Sequence, residues 1–130
     1  YSVYSRFFGT LGLPGPWAIS CSVAAGNLDR AVELCREVVA EYVADGPGET
    51  ELEDERQARA GAYQVGLATN AGIASELVTT LTAGEDVSRL DEYPRQLLAT
   101  TREEVVEATR KHIRPDELTL AVAGTLNETG

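Results

Sequence analysis

Methionine is absent from this sequence, and histidine occurs once, as His112. A catalytic zinc needs three protein ligands and an activated water, so a chain with one imidazole carries no His-rich metal site of its own. Cysteine is nearly as scarce. Cys21 and Cys35, without histidine companions, make neither a zinc site nor a disulfide framework, and they read as two buried small hydrophobes of a reducing compartment. Aromatic residues are 6% of a 43% hydrophobic chain, enough for one modest core and one domain over residues 1–130. No apolar run approaches the length of a membrane span, and no basic, apolar leader opens the chain, which predicts a soluble, cytoplasmic protein that meets no membrane. Basic residues number 11 against 21 acidic ones, and the net charge of −10 excludes a nucleic-acid partner while permitting a basic or peptide one. Starting at Tyr1 without any methionine, the chain is expected to be a piece of a longer polypeptide.

What is present divides into two strands, a run of helices and a returning strand. Val3, Ser5 and Phe7 alternate with Tyr4, Arg6 and Phe8, and Trp17, Ile19, Cys21 and Val23 alternate with Ala18, Ser20 and Ser22. Between them Gly9, Gly12, Pro14, Gly15 and Pro16 suit the loose loop of an antiparallel hairpin. A phosphate-binding loop is the rival, but the segment lacks the Lys-Ser/Thr ending that would hold phosphate and metal. Asn27 is placed to cap a helix reaching about Asp45, with Leu28, Ala31, Val32, Cys35, Val38, Val39 and Tyr42 in one apolar stripe. Gly46-Pro47-Gly48 stops it. Thr50 is then expected to open a helix with Glu53 completing a capping box. The acidic cluster Glu49, Glu51, Glu53, Asp54 and Glu55 fits the positive end of that helix dipole, with a patch for basic substrates as the alternative.

Small residues (Ala58, Ala60, Gly61, Ala62 and Gly66) follow, and a bend or restart is expected at Asn70 and Gly72. Ile73, Leu77, Val78 and Leu81 form a second stripe ending at Gly84. The segment from Tyr93 to Gly124 is the most legible. Pro94 suits an early helical turn, Thr101 and Glu104 make a T-x-x-E capping box, and Arg114-Pro115 ends that helix. Leu118, Leu120 and Val122 then alternate with Thr119, Ala121 and Ala123 along a predicted strand. The pattern describes an α+β fold, an antiparallel sheet with helices packed on one face.

Four stretches in this order resemble the C-terminal domain of a pitrilysin/insulinase-type zinc metallopeptidase, processing-peptidase-like branch: Tyr1-Ser2-Val3, the A-x-E-L-x-R-E helix at Ala31–Glu37, the pair Thr50–Ala58 and Thr69–Leu77, and the Tyr93–Gly124 module. The resemblance implies the mitochondrial-processing-peptidase-like metallohydrolase fold, with this chain as a partial domain, the latter part of the C-terminal, non-zinc domain. It also implies a parent zinc metalloendopeptidase whose zinc is bound outside this fragment by an H-x-x-E-H helix. That motif does not occur here, so the fragment alone cannot hydrolyse a peptide by that route.

By the same resemblance Tyr1 occupies the position of a tyrosine that reaches the substrate carbonyl. A phenol stays protonated at neutral pH and can donate to an oxygen gaining negative charge. A frayed terminal residue or an ordinary strand aromatic is the alternative for Tyr1. Its arginine partner would lie before Tyr1, and Arg6 is too far along to replace it. His112, near the end of the Thr101 helix, reads as structural or surface. The implied partners are a peptide substrate and the zinc-binding domain, in the same chain or in a partner subunit. Unpaired edges and apolar helix faces further predict association of copies into a homo-oligomer. The rivals are a catalytically inactive structural or substrate-clamping subunit of the same fold, and an α+β binding module outside this family.

Overall fold

The computed structural model describes residues 2–9 and 14–125. Strands β1 (Val3–Phe7) and β2 (Trp17–Cys21) pair antiparallel, in a register running from Val3 opposite Cys21 to Phe7 opposite Trp17. Alternation therefore puts Val3, Ser5 and Phe7 on one face with Trp17, Ile19 and Cys21. The indole Nε1 of Trp17 donates to Ser5 Oγ across the ladder at 2.9 Å. At the loop end, Phe8 N–H donates to the Pro16 carbonyl at 2.8 Å. The expected hairpin is present.

A 3-10 turn (Ala25–Asn27) leads into helix α1 (Leu28–Asp45). Asn27 occupies the N-cap position, but its side chain makes no capping bond. The reason is its backbone, at φ −106° and ψ 4°: the preceding turn already winds the chain, and Asn27 lacks the extended conformation from which a cap side chain reaches the first free N–H groups. Helix α2 (Glu49–Gly66) also starts earlier than the sequence suggests. Its cap is Gly48, whose N–H donates to Glu51 Oε2 at 3.3 Å, and Thr50 lies within the first turn. Glu53, expected to close the box, instead binds the Arg56 guanidinium at 2.5 Å and the Gln57 amide at 3.0 Å. Both residues lie one turn on, where helical spacing brings them alongside.

The restart expected around Asn70 is real. Helix α3 (Asn70–Thr82) is capped by Thr69, which accepts from Gly72 N–H at 3.0 Å. A Cβ on Gly72 would overlap the Gly66 carbonyl oxygen, so the α2–α3 turn closes only over a residue without a side chain. Helix α4 (Arg89–Ala99) begins five residues before Pro94, correcting the expected early-turn position. Proline cannot donate to the carbonyl of Leu90, and the helix carries that lost bond internally. Helix α5 (Arg102–His112) has the predicted box in full: Glu104 N–H donates to Thr101 Oγ1 at 3.2 Å, and Thr101 N–H donates to Glu104 Oε2 at 2.8 Å.

The predicted strand at 118–123 is not one. Among the described residues the sheet has two strands, and Leu118 to Ala123 join no ladder. Alternation specifies which side chains would face a sheet, but a strand exists only through backbone pairing, and neither β1 nor β2 pairs with this segment. Leu120 and Val122 are consequently exposed. The architecture is α+β, an antiparallel two-stranded sheet with helices.

Helix α1 packs against α5, α2 against α4, and α3 against α4. The apolar residues buried among these elements are Val39, Leu52 and Ala60, together with Thr80 and Thr109. Large apolar side chains elsewhere stay exposed, including Val3, Tyr4 and Phe7 of the hairpin and Val65, Val78 and Leu81 of α2 and α3. With so thin a core, polar bonds between distant segments matter more. Arg102 Nε donates to the Pro47 carbonyl at 2.9 Å, and its Nη2 to the Asp45 carbonyl. Arg110 Nε donates to the Val43 carbonyl at 3.1 Å, and its Nη2 to that of Ala44 at 2.5 Å. Two guanidinium groups from α5 thus occupy the carbonyls left open at the C-terminal end of α1, where positive charge is favoured. Gly46 between them has φ 72°, and a Cβ there would overlap Val106 Cγ2.

Arg102→Ala and Arg110→Ala should each lower stability by about 1–2 kcal/mol in urea titration, with Arg110→Lys recovering only part, since lysine keeps the charge and loses the fork. Thr101→Ala should cost about 1 kcal/mol. The bonds from Thr101 hold the Glu104 carboxyl below the usual glutamate range. A lowered folded value means a contribution present above the unfolded value and lost as the pH falls through the folded one. Wild type should therefore lose stability on acidification below the ordinary glutamate range more steeply than Thr101→Ala.

Candidate functional site

Tyr1, the site residue named from the sequence, lies outside the described residues. What the structure fixes is the segment that follows it. Ser2 accepts a hydrogen bond from Ser22 N–H at 3.2 Å, and β1 runs from Val3 in register with β2. Arg6, opposite Ala18 in the ladder, turns its guanidinium over the Phe8 ring at 4.3 Å from the centroid. It is spent locally as a cation–π partner at the loop end of the strand, away from the Ser2 end.

His112 closes α5 beside Arg110 and Lys111, three basic residues in the last turn, where the helix dipole suits them. It is exposed, and among the described residues no three His, Cys, Asp or Glu side chains converge as a metal site requires. The zinc implied by the resemblance therefore finds no ligand set in these residues.

Two concave regions remain. A groove of about 520 Å³ between α4 and α5 is lined by Gln96, Ala99, Thr100, Glu104, Val105 and Ala108. Thr100 and Glu104 are already engaged there: Thr100 Oγ1 donates to the Gln96 carbonyl at 2.9 Å, the Thr100 carbonyl accepts from Arg56 Nη1 at 2.7 Å, and Glu104 is held in its capping box. A smaller cleft of about 240 Å³ lies at the α2–α3 turn, lined by Tyr63, Gly66, Leu67, Gly72, Ser75 and Glu76. Tyr63 and Tyr93 meet edge to face with centroids 5.0 Å apart, and Arg89 lies 4.8 Å over the Tyr93 ring. The Tyr63 hydroxyl is shielded from solvent and makes no hydrogen bond. Burial raises its pKa, and the neighbouring Glu76 carboxylate raises it further. The cluster pins α2, α3 and α4 together. Sequence reading missed it, although Arg89 and Tyr93 stand four residues apart on one helix and carried a signal.

No family model and no curated protein matches the chain. Among solved structures it is similar to the crystal structure of a peptidase M16 inactive domain from Pseudomonas fluorescens, at 32% identity and a TM-score of 0.76. The likeness is to part of a peptidase-type chain. The match covers 89% of this chain and 27% of the other, so the chain spans about a quarter of the length of the protein it resembles. At this level the pitrilysin-type resemblance and the α+β architecture are supported together. No helix among the described residues is long and apolar enough to cross a membrane.

Since the Tyr63 hydroxyl is buried without a partner, Tyr63→Phe should leave stability at neutral pH unchanged or raise it by up to about 1 kcal/mol in thermal or urea unfolding. A clear loss would mean that the hydroxyl has a partner in solution.

Proposed function

We propose that this chain is part of the non-zinc C-terminal domain of a pitrilysin-type zinc metalloendopeptidase, where it forms part of the wall of a peptide-enclosing chamber. The observation that carries the reading is the 32% identity with a domain described as a peptidase M16 inactive domain, on the same α+β architecture. In this reading metal and catalytic base come from a zinc-binding domain in the same polypeptide or a partner subunit. Tyr1 donates its hydroxyl to the substrate carbonyl. The Ser2–Ser22 bond and the β1–β2 register supply a paired strand directly after it. Exposed Val3, Tyr4 and Phe7, with Val78 and Leu81 on α3, are surfaces for the rest of the domain or a second copy.

The other reading is a catalytically inactive structural or substrate-clamping subunit of the same fold, which the words "inactive domain" for the similar protein also suit. An H-x-x-E-H motif in the parent polypeptide decides for the enzyme. In that enzyme, Tyr1→Phe should lower kcat on a peptide substrate by about 100-fold with KM little changed, the signature of a donor engaged in the transition state. Equal kcat in the two proteins would remove Tyr1 from the mechanism.

A further inference from the structure

Among the described acidic residues Glu76 alone is not exposed. It lines the cleft of about 240 Å³ at the α2–α3 turn, and it enters no ion pair among the described residues. A carboxylate drawn partly out of water needs a counter-charge or donors in place of the water it gives up. The cleft is built from two matching sets of positions, Tyr63, Gly66 and Leu67 at the end of α2, and Gly72, Ser75 and Glu76 on α3. In each set the second and third members stand three and four residues after the first, the spacing that puts helical residues on one face.

The groups gathered there are mainly acceptors. Gly66 closes α2 at the negative end of its dipole, its carbonyl oxygen stands against Gly72, and no described turn or cap N–H donates to it. The N–H groups of Gly72 and Ile73, in the first turn of α3, are taken by the Thr69 hydroxyl and carbonyl. The Tyr63 hydroxyl is shielded and unbonded, free to donate to a neighbouring carboxylate and hold it in place. The Arg89 guanidinium lies over the Tyr93 ring and is not part of the cleft lining.

We propose that this cleft binds a primary ammonium group on an aliphatic stem, the side chain of a lysine in a polypeptide partner. The ammonium donates to the Glu76 carboxylate and the Gly66 carbonyl, and the stem lies along Leu67. A carboxylate beside a helix C-terminus repels an anion, and the net charge of −10 draws cations from a distance. The cleft is smaller than the roughly 300 Å³ at which sites for drug-sized ligands begin, a scale that suits one side chain. This inference is independent of the proposed function.

The test titrates the isotope-labelled chain at low ionic strength with n-butylammonium chloride and with Nα-acetyl-lysinamide, reading amide chemical shifts. Those of Gly66, Gly72, Ser75 and Glu76 should move and saturate with one Kd, whereas 1-butanol and sodium chloride at the same concentrations should leave them in place. Alaninamide, whose ammonium sits at a chain start without the stem, should bind at least about 4-fold more weakly, the cost of about one unburied methylene. Glu76→Gln should weaken n-butylammonium binding at least about 10-fold, as loss of a hydrogen bond to a charged group does. Should that variant fail to fold, the 1-butanol comparison on wild type decides alone. Shifts that spread over the acidic surface without saturating, equal shifts from 1-butanol or sodium, undiminished binding by folded Glu76→Gln, or alaninamide binding as tightly as the lysine compound would each overturn the proposal.

Discussion

The C-terminal end of α1 is where the two halves of the chain are fastened. Helices end with carbonyls that have no partner in the helix, and an end packed inside a protein must find donors elsewhere. Here Arg102 and Arg110, from a helix far along the sequence, supply them to Val43, Ala44, Asp45 and Pro47. A third arginine works the same way: Arg56 of α2 reaches the Thr100 carbonyl in the link between α4 and α5. In each case a cation meets backbone carbonyls instead of a carboxylate. The surface pairs, such as Arg59 with Glu55, join neighbours one turn apart and hold no distant elements together.

That dependence on polar fastening follows from how little apolar surface the chain buries. Among the described residues Val39, Leu52 and Ala60 are a small core, while Val65 and Val78 stand in solvent at 74% and 65% exposure. The hydrophobic content is sufficient, but it is distributed over faces with no described neighbour. The unpaired extended segment after the 3-10 turn Pro115–Glu117 shows the same thing in backbone terms, because its alternating pattern is that of a strand and its carbonyls and amides join no ladder.

The hairpin, α1 and α5 were legible because each carries a local, self-sufficient signal: alternation bounded by glycine and proline, a continuous stripe, and a capping box with both partners in the sequence. Helix α2 was misread by its first turn, since several acids there compete for the same role and only geometry selects Glu51 over Glu53. Pro94 misled through a rule of position, for nothing local said that Arg89 to Tyr93 would already be helical. The arginine fastenings were invisible, because a guanidinium's carbonyl partners lie more than 40 positions away in the chain and periodicity carries no such information. Tyr1 came from a family pattern alone, and the described residues set only the strand behind it.

Gly46 ties these themes together. Its backbone takes a conformation that side chains resist, and the space where a Cβ would sit belongs to Val106 of α5. The residue is therefore both the hinge pin that turns the chain out of α1 and the seat on which α5 rests. A methyl group there would overlap Val106, so that its side chain, or α5 with it, would have to give way beside the two guanidinium groups. One missing carbon atom sets how closely the first helix and the last can approach.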